Sequence, residues 1–180
     1  MLAEGNADFV ALGRSQLAEP AWAKKAKEGR ASDIKPCINC LIGCIDRGML
    51  SHTPIHCTVN PSLYRFECKP VEKAETRKQV AVVGAGPAGC EAALTASKRG
   101  HQVTIYEKRC IGGAMIEASK PENKANIKRL IHYYEDHIMH DPNITLVKEE
   151  VEYETLVHSG YDAVIIAVGG KTKNIKCTWN

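Results

Sequence analysis

The segment Val80-Ala81-Val82-Val83-Gly84-Ala85-Gly86-Pro87-Ala88-Gly89 restricts the fold of this chain more than any other. Its continuous apolar run reads as a parallel strand buried on both faces. The three glycines that follow have separate tasks. Gly84 permits a sharp turn off the strand, Gly86 lets the backbone approach a pyrophosphate, and Gly89 lets the next helix pack tightly on the strand. That helix begins near Pro87 and Ala88, and its N-terminus offers free N–H groups and a partial positive charge to phosphate. An alanine-rich helix is predicted from about Pro87 to Arg99 and a second strand over Gln102–Tyr106. Together they make a βαβ unit, the start of a doubly wound sheet. Glu107, at the end of the second strand, is placed to accept ribose hydroxyls, and an acidic group there disfavours a 2′-phosphorylated nucleotide. A plain glycine turn is the bland alternative, and the motif alone does not choose between FAD and NAD.

Upstream lies a second dense feature, Cys37-x2-Cys40-x3-Cys44 followed by Cys57. The stretch 36–70 lacks periodicity and carries Gly43, Gly48, Pro54, Pro61 and five cysteines, so a bound group is expected to order it. A tight trio with a singleton suits the four-cysteine ligation of an iron-sulfur cluster. Structural zinc competes, although its ligands usually come in two separated pairs. Unligated buried thiols are the bland reading. Cys68 is an alternative fourth ligand, whereas Cys90 and Cys110 read as ordinary thiols. The seven histidines, His52 and His56 among them, show no paired spacing and read as surface residues.

With 180 residues the chain can bury a real core. Its 24 basic and 21 acidic side chains give a net charge of +3, too small and scattered for a nucleic-acid surface. Lys24, Lys25 and Lys27 read as a solvated helix face. No apolar run approaches the ~20 residues of a membrane span. The N-terminus lacks a secretory pattern, which points to a reducing cytoplasm, where eight cysteines read as metal ligands and buried thiols before disulfides.

Further elements are expected along the chain. Residues 7–12 read as a short buried strand, and Pro20 to Gly29 as a helix. The charged stretch Val71 to Lys78 reads as a linker. Ile127, Leu130, Ile131, Tyr134 and Ile138 recur at helical spacing within an amphipathic helix from about Pro121 to Met139. Strands are expected at Ile144–Val147 and Ala163–Val168, and Lys171 to Asn180 carry no pattern.

Taken together, these residues resemble the old-yellow-enzyme-related iron-sulfur flavoproteins, a family that includes 2,4-dienoyl-CoA reductase, enoate reductases and trimethylamine dehydrogenase. The resemblance runs from residue 5 to about 170. Gly5-x-Ala7-Asp8-Phe9-Val10-x-Leu12-Gly13-Arg14 is similar to the last strand and phosphate loop of the FMN-bearing TIM barrel. Pro36 to Cys44 and Cys57-x-Val59-Asn60-Pro61 are similar to the cluster segment, and Val80 to Lys108 to the start of the FAD domain.

The resemblance implies an α/β chain in three parts: 1–35 as the end of a TIM barrel, 36–70 as an irregular iron-sulfur segment, and 71–180 as a partial Rossmann-like FAD domain. It implies that Cys37, Cys40, Cys44 and Cys57 bind a 4Fe-4S cluster and that Gly13 and Arg14 contact FMN phosphate. It favours FAD over NAD at the glycine turn through the pair Gly112-Gly113, and it places Ala88, Glu107, Lys108, Gly113 and Ala114 on FAD contacts, with Lys124 and Val151 as further candidates. Alanine at 114 can contribute only its backbone. Ala167-Val168-Gly169-Gly170 is similar to a turn of the same class. In such an enzyme electrons pass from NAD(P)H through FAD and the cluster to FMN and an activated C=C bond. This chain carries little of the barrel and no second dinucleotide motif, so it is expected to be a central piece of such an enzyme, or alternatively a stand-alone electron carrier or an inactive remnant. No catalytic acid, base or nucleophile is identified, and neither a nucleic acid nor a membrane is expected as partner.

Overall fold

A computed structural model describes residues 2–63 and 71–170. Its α-helices are α1 (Arg14–Ala18), α2 (Trp22–Lys27), α3 (Pro87–Lys98), α4 (Met115–Ala118), α5 (Ala125–Met139) and α6 (Tyr153–His158). The strands are β1 (Gln79–Val83), β2 (Gln102–Tyr106), β3 (Ile144–Val147) and β4 (Ala163–Ile166). The described residues fall into two compact units, one within 1–72 and 116–137 and one within 73–115 and 138–180.

The second unit is built on a parallel sheet in the order β3-β2-β1-β4. Val80 stands opposite Val103 on one side and Ala163 on the other, while Val103 pairs with Ile144. Placing the first strand between the second and the fourth follows the opening half of a dinucleotide-binding sheet. The side chains of Val80, Ala81 and Val82 are all buried, as the continuous apolar run requires for a strand covered on both faces. In β2 only the alternate positions Val103 and Ile105 are fully enclosed. Helix α3 packs on β1 and β2 and buries Cys90, Ala93, Leu94 and Ala96. Small side chains on that face are what let helix and sheet approach closely. At the start of the sheet, Gln79 donates its N–H to Asp162 Oδ2 at 2.7 Å, and Asp162 N–H returns to Gln79 O at 2.9 Å. This exchange fixes the register of β4.

In the first unit, residues 7–12 form no strand, contrary to expectation, and Phe9 is 91% exposed. All four strands of the sheet fall between residues 79 and 166, so this apolar run has no ladder to join. The predicted helix over 20–29 is the shorter α2, and Gly29 at φ +73° ends it in the left-handed conformation that glycine tolerates. Lys24 and Lys27 are exposed as expected, but Lys25 is not a solvated face residue. Its ammonium reaches Glu19 Oε2 at 2.6 Å and Asp33 O at 2.8 Å. The segment expected to be irregular contains a wide helix, Ile42–Leu50, whose N–H groups reach back five residues, from Asp46 to Leu41 and from Ser51 to Asp46. The predicted helix over 121–139 starts with a tight turn, Glu122–Lys124, before α5. Helices α1, α4 and α6 lie outside the sequence expectation.

Candidate functional site

Cys40 is flanked by two non-glycine residues in the left-handed region, Asn39 at φ +55° and Leu41 at φ +62°. Such positions are costly for a branched side chain and persist only where surrounding structure imposes them. Here they fold the segment 37–44 back on itself. Cys37, Cys40 and Cys44 line one cavity, and Cys57 joins them from the returning chain, together with Arg14, Leu17, Thr58 and Val59. All four cysteines are free thiols and half-buried.

Gly43 explains how the two cysteine segments come so close. Its carbonyl accepts the N–H of His56 at 2.8 Å, and a Cβ there would lie 2.4 Å from both His56 Nδ1 and His56 O. Only glycine fits between the trio and the residue preceding Cys57. On the other side, buried Asn60 donates Nδ2–H to Leu17 O at 2.9 Å and accepts Ser62 N–H at 3.1 Å. The bond to Leu17 ties the returning chain to α1, which carries Arg14 at its first position, while the bond from Ser62 holds the Asn60 side chain in place.

Around the sulfurs, Asn39 N–H donates to Cys37 Sγ at 3.4 Å, and Cys40 Sγ lies 3.0 Å from Thr58 Oγ1. Cys37 Sγ also contacts Asn39 Oδ1 at 3.5 Å, and Cys44 Sγ contacts Leu41 O at 3.9 Å. Both of the latter need a protonated thiol, so a ligating thiolate gives them up. Among the described residues no three His, Cys, Asp or Glu side chains stand close enough to share one metal ion. Cys68 lies outside the described residues.

The dinucleotide motif forms the second constellation, in the other unit. Gly84 turns off β1 at φ +99°, and a Cβ on it would meet Ala167 O at 2.5 Å. At Gly89 a Cβ would lie 1.9 Å from Gly84 O, so helix and turn are in direct contact there. Gly86, in contrast, has nothing within 4 Å of where a Cβ would stand. The loop is open at the one glycine meant to face a phosphate. Pro87 opens α3 with no side-chain cap, which leaves its first-turn N–H groups to a ligand.

Glu107 follows β2, and its N–H donates to Val147 O at 3.0 Å. Its Oε2 accepts Ala85 N–H and its Oε1 accepts Arg109 N–H, both at 2.8 Å. The carboxylate therefore braces the glycine turn. Gly112 N–H donates to Ala85 O at 2.8 Å, and Gly113, at φ +52°, would bring a Cβ to 3.0 Å from Gly86 Cα. Gly84, Gly86, Glu107 and Gly113 thus gather at the C-terminal ends of β1 and β2, where open α/β sheets take their ligands.

The other expected contacts are less tightly placed. Lys108 pairs with Glu150 at 2.7 Å, with both side chains exposed, and the hydrogen bond and charge of that carboxylate raise the lysine pKa. Ala114 is exposed beside Gly113, and Val151 is half-buried beyond β3. Lys124 lies in the first unit, exposed on the turn before α5. Arg14 borders the cysteine cavity, while Gly13 has open space around it. Gly43, Thr58 and Asn60 were not read as site residues from the sequence. Gly43 had a signal as a glycine next to Cys44 within the trio, and Asn60 had one within Cys57-x-Val59-Asn60-Pro61, whereas Thr58 had none.

Comparison with known proteins identifies the family, and its family pattern covers the unit that holds the glycine turn. The pattern of the pyridine nucleotide-disulphide oxidoreductase family matches residues 78–178. The NADH oxidase of Thermoanaerobacter brockii is 42% identical over 173 residues, 95% of this chain and 27% of that protein. The cinnamate reductase of Clostridium sporogenes is 33% identical over 95% of this chain and 26% of its own length. The solved structure of a 2-naphthoyl-CoA reductase superposes with a TM-score of 0.91 at 34% identity, covering 97% of this chain and 27% of that one. The chain thus spans about a quarter of the length of these relatives. The resemblance to old-yellow-enzyme-related NADH:flavin oxidoreductases is borne out, and the chain belongs to the pyridine nucleotide-disulphide oxidoreductase family.

Proposed function

We propose that this chain is the central electron-transfer portion of an iron-sulfur flavoprotein oxidoreductase. The observation that carries the reading is the shared cavity of Cys37, Cys40, Cys44 and Cys57, closed by the contact of Gly43 with His56. A trio spaced two and three residues apart, with a fourth cysteine lining the same cavity from the returning chain, suits the four-cysteine ligation of an iron-sulfur cluster, whereas structural zinc usually takes its ligands in two separated pairs. FAD suits the other constellation, with pyrophosphate at Gly86 and the start of α3 and the ribose at Glu107. When bound, the two groups supply stepwise redox chemistry between NAD(P)H and the FMN that reduces an activated C=C bond in the whole enzyme.

The chain's own residues bind and orient. The four cysteines give thiolates, and Asn39 N–H supports one of them. Glu107 holds the phosphate turn in shape through Ala85. Gly113, Ala114, Lys108 and Val151 border the flavin nucleotide from the loops after β2 and β3, and Lys124 adds a cation. Arg14 with Gly13 serves the FMN phosphate, and from its place in the cysteine cavity Arg14 also presents positive charge to the cluster.

Anaerobic purification followed by iron, sulfide, zinc and flavin analysis tests the reading. About four irons and four sulfides per chain are expected, lost in Cys44→Ser and kept in Cys68→Ser. Stoichiometric zinc without sulfide in protein from iron-replete cells would overturn it.

A further inference from the structure

Among the four cysteines, Cys40 alone lies beside a side-chain hydroxyl, Thr58 Oγ1 at 3.0 Å, among the described contacts. In the free thiol either atom can donate. Once Cys40 is a thiolate it carries no proton, so Thr58 O–H must become the donor. Thr58 is held on the cavity wall by its neighbours. Cys57 before it is a lining residue, and Val59 and Asn60 after it are buried, with Asn60 anchored to Leu17 O.

We infer that the Thr58 hydroxyl is a positioning group for the Cys40 thiolate that sets the reduction potential of the group the four cysteines hold. This rests on the cluster reading above. One-electron reduction, by dithionite in a titration, adds one negative charge to the thiolate-bound core and moves no proton. A donor aimed at a ligand sulfur stabilises the more negative state and so raises the potential. Asn39 N–H acts in the same sense on Cys37, but as a backbone group it does not vary with side-chain identity. Thr58 is therefore where the sequence can adjust the potential without changing a ligand.

The test compares anaerobically reconstituted wild type, Thr58→Val and Thr58→Ser by redox titration followed by electron paramagnetic resonance. Iron and sulfide are counted on each sample. Valine keeps the shape and removes the donor, so its midpoint should fall by about a tenfold change in the reduced-to-oxidised ratio, about 59 mV for a one-electron couple. Serine restores the hydroxyl and should return to within about a third of that shift. A fully loaded Thr58→Val sample with the wild-type midpoint overturns the inference and leaves the cluster reading standing. Equal shifts in valine and serine variants also overturn it, because they report packing and not the donor. A wild-type chain that takes up no iron and sulfide overturns the cluster reading and this inference with it.

Discussion

Both carboxylate oxygens of Glu107 already accept a backbone N–H, one from the glycine turn and one from Arg109. An ionised carboxylate offers about four lone-pair sites, so two remain for ribose hydroxyls while the others hold the turn. Glu107→Ala removes both roles, and FAD binding is expected to weaken by ~1–3 kcal/mol, read by flavin fluorescence titration. Unchanged affinity would remove Glu107 from the site. A second residue-scale contrast lies between two thiols. Cys90 is fully buried, with Sγ 3.3 Å from Ala85 O, and its pKa is pushed up to about 12, by burial first and then by the charges of Glu91 and Glu107. Cys110 is exposed. At pH 8 iodoacetamide should label Cys110 and leave Cys90 unmodified in the folded chain, since only the thiolate reacts. Mass spectrometry of the peptides reads this directly, and equal labelling would contradict the packing of α3 on β1.

The glycines of the β1–α3 turn divide into packing and binding positions. Gly89→Ala forces a Cβ to 1.9 Å from Gly84 O, so helix or strand must shift, at a cost of about 1–3 kcal/mol or more in a melt. Gly86→Ala meets nothing within 4 Å and should leave stability nearly unchanged while weakening nucleotide binding, because the new methyl occupies the approach of the phosphate. This division of labour was legible in the sequence, since buried strand, glycine spacing and acidic residue all follow from local backbone demands. The wide helix Ile42–Leu50 and the tie from Asn60 to Leu17 were not, because they depend on contacts between segments that no periodicity records. Residues 7–12 failed for a related reason. Apolar content marked a strand, but a strand exists only when a neighbour completes its ladder. In the first unit, burial works to raise the Glu19 pKa, yet hydrogen bonds from Lys25 and Ala21 N–H and the Lys25 charge outweigh it and lower the pKa. A depressed carboxylate stabilises fully above its unfolded value of 4.5 and loses that contribution as pH falls through the lower folded value. Acid titration of Trp22 fluorescence should therefore show the first unit loosening below about pH 4.5, and Glu19→Gln should flatten that dependence.

Across the whole molecule, the proposed ligands of the two redox groups fall in different units. Cys37, Cys40, Cys44 and Cys57 belong to the first, whereas Gly84, Gly86, Glu107 and Gly113 belong to the second. Of the residues assigned to FAD only Lys124, exposed on its turn, comes from the first. Each unit has its own ordering principle. The second has a sheet whose core strand is buried without any ligand, and the first has short helices tied together through Glu19, Gly43 and Asn60. Loading of the two groups should consequently be separable. Cys44→Ser is expected to abolish iron and sulfide uptake while changing FAD affinity less than threefold. Glu107→Ala is expected to weaken FAD and leave four irons per chain, about the full complement of the cluster. Lys124→Ala should fall between, with a modest loss of FAD affinity and no loss of iron, as befits a single exposed cation. Parallel iron analysis and flavin titration on the three variants measure all of this in one preparation each. Loss of FAD binding in Cys44→Ser, with the circular dichroism of the sheet preserved, would mean that cluster and flavin sites are built together and that the sheet does not suffice to form its own nucleotide turn.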